Sequence, residues 1–459
     1  MAPPSVSGHT MIADLIWWLA SLLVHLFYRL EPTGGDLPDG PVLLVANHGN
    51  GLLDPAVVVH TARRRPRFLG KSTLFTMPVI GWFVRQVGTI PVYRRSDEGD
   101  TSRNEEMFRA VHAALARGDV VCLFPEGISH STGRLEPLKT GAARIALGAA
   151  ADGVPVRVVP VGLNFQDKEV FRSTAVVAYG PPVDPAPHVA QHATEPVEAV
   201  RALTDDIAAH LRDVMIEAEP TTEVEIVDRI ERVYAAAGGL SRAPAAVFAR
   251  RRLIADGMRT LRERDPERFA TLFEQLRRYE RRRARFGLTE DALRNKVPLA
   301  TALRFTIRET LAALLLMPIA AAGISTFVVP YQVVKAITAR LKVSLDQQAT
   351  VKLGFGMVAY GAWMVLLTWW AWRRAGGAWA GGVAVALPLL GLATLFAQER
   401  EAAVVETVRA TLAAWRTADV TEERLYRQRA TIADLLDQAY RWTRNARDGG
   451  DPGLLPPHD

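Results

Sequence analysis

The stretch "PVLLVANHGNGLLDPAVVV", residues 41–59, decides the fold. Its first seven residues are a short apolar run, long enough for a buried strand and too short for a typical helix. The run stops at His48, passes through Gly49 and Gly51, and resumes behind Asp54 and Pro55. Asp followed by Pro and "AVVVHTA" has the form of a helix start, with Asp54 at the N-cap and proline at the first helical position. A strand that delivers a histidine, a glycine-bearing loop and a helix is one unit of an α/β fold.

Working outward, four further runs read as strands: "GTIPVYR", "VVCLFPEG", "VRVVPVGLNF" and "STAVVAYGPPV". Residues around 102–117 and 140–151 read as amphipathic helices between them. This alternation predicts an α/β fold with a mostly parallel sheet flanked by helices over residues 40–192. The polar residues of interest lie at strand ends, where such folds commonly place their ligands.

The rest of the chain has a different texture. Of 459 residues, 49% are hydrophobic and 23% charged, which implies segregation of apolar from polar stretches, as when a soluble domain is joined to a membrane portion. Residues 11–29, "MIADLIWWLASLLVHLFYR", are apolar without a cleavage-site pattern. They read as a membrane-anchoring helix lying in the interface, within a 1–39 segment, rather than a removable leader. Residues 193–308 are helical by pattern and dense in arginine, either as a solvated face of Glu–Arg pairs or as a surface for anionic lipid headgroups. Residues 309–398 hold apolar stretches near 310–333, 355–372 and 376–397. The first is interrupted by Pro318 and Pro330 and reads as re-entrant; the last two read as a tight hairpin with Trp369, Trp370, Trp372 and Trp379 around its turn. With the helical tail, residues 399–459, this topology returns the basic groups to the cytoplasm and predicts an integral membrane protein with its catalytic domain on the cytoplasmic face. The lone cysteine, Cys122, excludes an internal disulfide and a multi-cysteine metal site. A net charge of +6 favours an anionic partner. Membrane lipid fits it better than nucleic acid, because no nucleic-acid-binding module accompanies the charge.

The chemistry gathers in four stretches. His48 can serve as a general base near neutral pH, and Asp54 can fix its tautomer. "GTIPVYRR" places Arg94 and Arg95 past a strand, where a guanidinium suits a phosphate or simply an exposed turn. "CLFPEGISHSTGR" sets Glu126 and Gly127 after another strand, with Ser129 and His130 behind: a polar turn, or an acceptor pocket. Lys71 in "LGKSTLF" and Lys139 in "LKTGAARIALGA" each precede a helix, within reach of a phosphate or a developing oxyanion.

Taken in order, "NHGNGLLD", "GTIPVYR", "FPEGISH" and "VVPVGLNF" resemble the four blocks of the glycerolipid acyltransferases, which include the lysophosphatidic acid and glycerol-3-phosphate acyltransferases. The resemblance covers roughly residues 40–185. It departs from the usual first block, in which four residues separate the histidine from the aspartate; here Gly49, Asn50, Gly51, Leu52 and Leu53 intervene. The longer spacing is similar to a subgroup of glycerol-3-phosphate and dihydroxyacetone-phosphate acyltransferases that carry membrane segments after the catalytic domain. The resemblance implies that His48 takes the proton of an acceptor hydroxyl while Asp54 orients it, and that the alkoxide attacks the thioester of acyl-CoA or acyl carrier protein. Arg94 would clamp the acceptor phosphate, and Glu126 with Gly127 would shape the acceptor pocket. Lys71 and Lys139 would contact phosphate or oxyanion, and no block calls for a metal or cofactor. Glycerol 3-phosphate is the favoured acceptor and 1-acylglycerol 3-phosphate the alternative. A catalytically silent lipid-binding scaffold is the contrasting reading, and His48, Asp54 and Arg94 are the residues such a scaffold would be expected to lose.

Overall fold

The computed structural model describes residues 11–93, 104–130, 133–217, 220–286, 299–341, 345–416 and 419–448. The chain divides into two compact units, one of residues 1–225 with 343–350 and one of residues 226–342 with 351–459.

The first unit is built on a seven-stranded sheet. Its strands are β1 (Tyr28–Gly34), β2 (Val42–Ala46), β3 (Pro66–Lys71), β4 (Ile90–Val92), β5 (Val120–Leu123), β6 (Arg157–Phe165) and β7 (Ser173–Tyr179). They lie in the order β1-β7-β6-β2-β5-β3-β4. Every neighbouring pair is parallel except β6 with β7. Helices α1 (Met11–Phe27), α2 (Leu53–Thr61), α3 (Pro78–Gln86), α4 (Asn104–Ala116), α5 (Gly141–Ala151), α6 (Ala186–Thr194) and α7 (Pro196–Asp213) complete the unit, and a short 3-10 turn, Ser72–Thr76, follows β3.

The apolar run that opens the sequence becomes β2, the central strand, buried at every residue. Strands covered on both faces need no polar alternation, so β2 and β5 ("VVCL") are continuous apolar runs. β1 and β3 lie outside the sequence expectation. β1, "YRLEPTG", carries charge and a proline because it is an edge strand, where a missing N–H costs no ladder bond. β3, "PRFLGK", begins on proline and buries only Pro66 and Phe68.

Helix α1 spans 17 residues, about 25 Å at 1.5 Å per residue, short of the ~30 Å hydrocarbon core. Trp17, Val24 and Phe27 are buried, while Leu15, Trp18 and Leu19 are exposed. That two-faced pattern suits a helix lying against its own domain and an apolar surface.

The second unit is helical: α8 (Pro220–Gly238), α9 (Pro244–Arg264), α10 (Pro266–Arg285), α11 (Leu299–Arg340), α12 (Leu345–Ala375), α13 (Gly377–Arg416) and α14 (Asp419–Asp448). The unit boundary falls near the ends of α8 and α12. Many arginines in α9 and α10 are occupied within the unit. Arg250 bonds Glu231 at 2.7 Å, Arg251 meets Asp228 at 2.9 Å, and Arg278 and Arg281 share Glu274. Tyr234 Oη donates to Asp437 at 2.6 Å, joining α8 to α14.

Three helices, Ile307–Arg340, Gln347–Ala375 and Gly377–Gln398, are long and apolar enough to cross a membrane. Two expectations for this region are corrected. The first stretch is one continuous helix through Pro318 and Pro330 rather than a re-entrant segment. The lateral partner of α13 is α11, not its sequence neighbour α12. Glu309 faces Arg400 at 2.9 Å, a Cβ at Gly323 would strike Thr394, and Gly391 abuts Phe327, an antiparallel order set by small residues that allow close approach. Trp369, Trp370, Trp372 and Trp379 are exposed around the α12–α13 turn, with Arg373 and Arg374 over two of their rings.

One close approach sets a stability test for the first unit. Asn164 donates to Val214 O (3.0 Å) and accepts from Ile216 N–H (2.7 Å), strapping the chain after α7 onto β6. A Cβ at Gly162 would stand 1.7 Å from Val214 O. Gly162→Ala is therefore expected to cost about 1–3 kcal/mol or prevent folding. Gly257→Ala, with nothing near its Cβ in α9, should be neutral or slightly stabilising. Thermal unfolding of the two variants checks the contrast.

Candidate active site

Strand register assembles the site. β2 and β5 are parallel with Val45 opposite Leu123. Three residues further on, past the carboxyl end of each strand, stand His48 and Glu126. Lys71 ends the next parallel strand, β3.

His48 Nδ1 lies 2.8 Å from Asp54 Oδ2. A carboxylate only accepts, so Nδ1 carries the proton and Nε2 presents a lone pair, the tautomer a general base requires. Asp54 is completely buried, and the His48 side chain keeps 18% of its surface exposed. Phe124 stacks on one face of the imidazole at 4.2 Å and 19°, with Phe68 behind it and Trp17 of α1 beyond. This wall restricts the ring to one plane.

The N-cap expectation for Asp54 does not hold. Gly51 adopts φ 52°, which turns the chain early, and α2 begins at Leu53 with Leu52 in the N-cap position and no side-chain cap. Asp54 falls inside the first turn and faces back along the loop. The same oxygen, Oδ2, accepts both His48 Nδ1–H and the Asn50 N–H at 2.8 Å. Oδ1 is buried without a partner among the described residues.

The "FPEGISH" block grips the loop that holds this pair. Glu126, 3% exposed, accepts the His48 N–H on Oε1 at 2.7 Å. Its Oε2 accepts the Glu136 N–H at 3.3 Å and pairs with His130 Nε2. The His130 N–H donates to His48 O at 3.1 Å, and Ser129 Oγ accepts the Gly51 N–H at 3.1 Å. Both polar groups of the His48 backbone are thus held by one turn, in which Gly127 takes φ 77°. Burial pushes the Glu126 carboxyl up to about 7, against the pull of the N–H bonds from His48 and Glu136.

The remaining predicted residues are distributed around this core. Lys139 lies exposed with its side chain across Gly127, Cγ 3.4 Å from where a Cβ would stand. Lys71 is half-buried at the end of β3 and precedes the 3-10 turn, not an α-helix. Arg94 and Arg95 lie outside the described residues. Three participants escaped the sequence reading. Asn50 Nδ2 donates to Tyr28 Oη at 2.7 Å, and Tyr28 Oη donates to Lys168 O, so a residue of β1 ties the loop to the β6–β7 turn. Asn47 extends the β2–β6 ladder by pairing both ends of its amide with Leu163. An asparagine at each end of a catalytic-looking histidine was the available signal.

A general base of this form stands at the carboxyl ends of parallel strands, and this region is similar to known proteins. Residues 29–164, from β1 into β6, match the family model described as Acyltransferase. Over that region the chain is similar to acyltransferases. It is 25% identical over 374 residues to an uncharacterized acyltransferase of Schizosaccharomyces pombe, covering 61% of this chain and 55% of that protein. It is 27% identical over 285 residues to glycerol-3-phosphate O-acyltransferase 1 of Saccharomyces cerevisiae, covering 58% and 37%. It is 34% identical over 158 residues to the chloroplastic 1-acyl-sn-glycerol-3-phosphate acyltransferase BAT2 of Brassica napus, covering 34% and 42%. The chain thus spans about half or less of the length of these relatives.

Glu126 supplies a pH test of the site. As a carboxylate it accepts the His48 N–H; as pH falls through about 7 it gains a proton and one acceptor becomes a donor. Loss of that grip loosens the loop that carries His48, so kcat/KM should fall as pH drops through about 7. Glu126→Gln should lower the plateau by about 10–100-fold and make that acid fall shallower, because a slightly misplaced base costs rates of that order.

Proposed function

We propose that the protein transfers a fatty acyl group from acyl-CoA or acyl carrier protein to the free hydroxyl of glycerol 3-phosphate, the acyl step of phospholipid synthesis. The observation that carries this reading is the His48 Nδ1 to Asp54 Oδ2 contact of 2.8 Å with a fully buried carboxylate, inside a domain of the acyltransferase family. His48 Nε2 accepts the proton of the acceptor hydroxyl as its oxygen attacks the thioester carbonyl. Asp54 stabilises the imidazolium that forms. The tetrahedral intermediate collapses to the ester and expels the thiolate, which recovers the proton from His48. The substrates supply nucleophile and leaving group, so this route draws on no metal, cofactor or acyl-enzyme. Glu126 and Gly127 shape the loop behind the acceptor, and Arg94, Lys71 and Lys139 supply positive charge for its phosphate or for the oxyanion.

The similarity to a glycerol-3-phosphate O-acyltransferase and the five-residue spacing between His48 and Asp54 support the acceptor. A second reading, acylation of 1-acylglycerol 3-phosphate, is favoured by the 34% identity to an enzyme named for that acceptor. In this reading the catalytic residues face the cytoplasm, where both donors occur, and the three apolar helices lie in the bilayer. The arginine surplus of α9 and α10 then meets anionic headgroups.

The test supplies purified full-length protein in mixed lipid micelles with labelled acyl-CoA and either acceptor. The expected result is acceptor-dependent thiol release with glycerol 3-phosphate preferred. His48→Ala should lower the rate by about 10²–10⁴-fold while the protein stays folded. Acylation of neither acceptor, or full turnover by His48→Ala, would contradict the reading.

A further inference from the structure

Lys168 lies in the turn between β6 and β7, beyond the four blocks. Its ammonium is nevertheless a neighbour of the dyad loop. A Cβ built on Gly49, the residue after His48, would stand 2.9 Å from Lys168 Nζ, 3.4 Å from Lys168 Cε and 3.6 Å from His130 O. Gly49 does not occupy the left-handed region of φ, so backbone freedom does not explain a glycine there. The space its missing side chain leaves is taken by the lysine.

The turn that carries Lys168 is pinned. Gln166 N–H donates to Thr174 O at 2.9 Å, Asp167 N–H to Ser173 Oγ at 3.0 Å, and Val170 N–H to Asp167 O at 3.3 Å. The decisive tie is Tyr28, fully buried, whose hydroxyl donates to Lys168 O and accepts from Asn50 Nδ2. Burial holds that phenol well above its ordinary pKa, so it stays a donor. One hydroxyl therefore joins the backbone of Lys168 to the loop between His48 and Asp54. The backbone that carries the cation and the loop that carries the base are held together by the fold, although the two residues lie 120 positions apart.

We propose that Lys168 binds the phosphate of the acceptor while the acceptor hydroxyl sits at His48 Nε2, which makes it a specificity-determining residue for phosphorylated acceptors. The inference rests on the acyl-transfer reading above. In a glycerophosphate the reacting hydroxyl and the phosphate are held on one three-carbon skeleton, so the cation that reads the phosphate must stand close to the base. A lysine seated on the residue after His48 meets that condition. An ammonium is a compact charge with three donors on a flexible stem, well matched to phosphate oxygens. Lys139 lies over Gly127 in the same manner, with Cγ and Cε at 3.4 and 3.7 Å from the Cβ position. Gly49 and Gly127 thus each leave room for a lysine.

Steady-state kinetics of the full chain test this, with glycerol 3-phosphate varied at saturating acyl-CoA and then the reverse. Lys168→Gln is expected to raise KM for glycerol 3-phosphate by about tenfold or more, the effect of losing a charge-assisted hydrogen bond. It should leave kcat within about threefold and KM for acyl-CoA unchanged. Lys168→Arg should restore part of the affinity. Gly49→Ala, whose methyl displaces only the flexible end of the lysine, should raise the same KM by a smaller factor and covers the case in which Lys168→Gln fails to fold. An unchanged KM for glycerol 3-phosphate in a wild-type background that turns over would overturn this inference alone. So would a fall in kcat with KM unchanged, which assigns the lysine to the oxyanion, or a rise confined to acyl-CoA, which assigns it to the donor phosphates. Failure of the wild-type protein to acylate either glycerophosphate removes the proposed function and this inference together.

Discussion

The Glu126 carboxylate beneath the His48 peptide is the contact on which the site depends. It exists because β2 and β5 are parallel neighbours in register, so residues three places past paired positions come side by side. One carboxylate oxygen holds the His48 N–H, the other meets His130, and the His130 N–H closes the clamp on His48 O. The imidazole is then oriented by Asp54 below its Nδ1 and by the Phe124 ring on its face. A charged group is expensive to bury, and Glu126 is tolerated because each oxygen has a donor. The block that first suggests an acceptor pocket is, in its hydrogen bonds, a cast around the loop of the base.

How far this was legible follows from where each signal resides. The central strands announce themselves because burial on both faces makes them continuously apolar, and that sufficed for a mostly parallel α/β sheet. β1 and β3 stay hidden because an edge strand tolerates Glu31 and Pro32, and because β3 opens on Pro66 and Arg67. His48, Asp54, Glu126 and Lys139 stand out as polar residues at the ends of apolar runs. The manner in which Asp54 acts does not, since Asp–Pro looks the same whether it caps a helix or lies in its first turn; only the conformation of Gly51 separates the two. Lys168 carries no local signal. Its place beside Gly49 depends on the length of the β6–β7 turn and on a tyrosine from β1, which are properties of the assembled sheet.

The helical unit shows the same division. Composition identifies three apolar stretches, and all three form helices long enough to cross a membrane. Composition does not choose lateral partners, and α13 lies along α11 through Gly323, Thr394, Gly391 and Phe327. In sequence the arginine-rich helices read either as a solvated face of Glu–Arg pairs or as a basic surface for headgroups. In three dimensions Glu231, Asp228 and Glu274 absorb part of that charge, so the surface offered to an anionic partner is smaller than the count of arginines suggests.

In the proposed mechanism His48 and Asp54 act as one unit, the aspartate serving only through the histidine. A double-mutant cycle on acyl transfer tests it most directly, comparing His48→Ala, Asp54→Ala and the pair in folded, membrane-inserted protein. Strong non-additivity is expected, with the double variant no slower than His48→Ala alone, because an orienting carboxylate has nothing left to orient. Additive losses, with the double variant slower by the product of the two single effects, would show that Asp54 acts independently and would contradict the dyad.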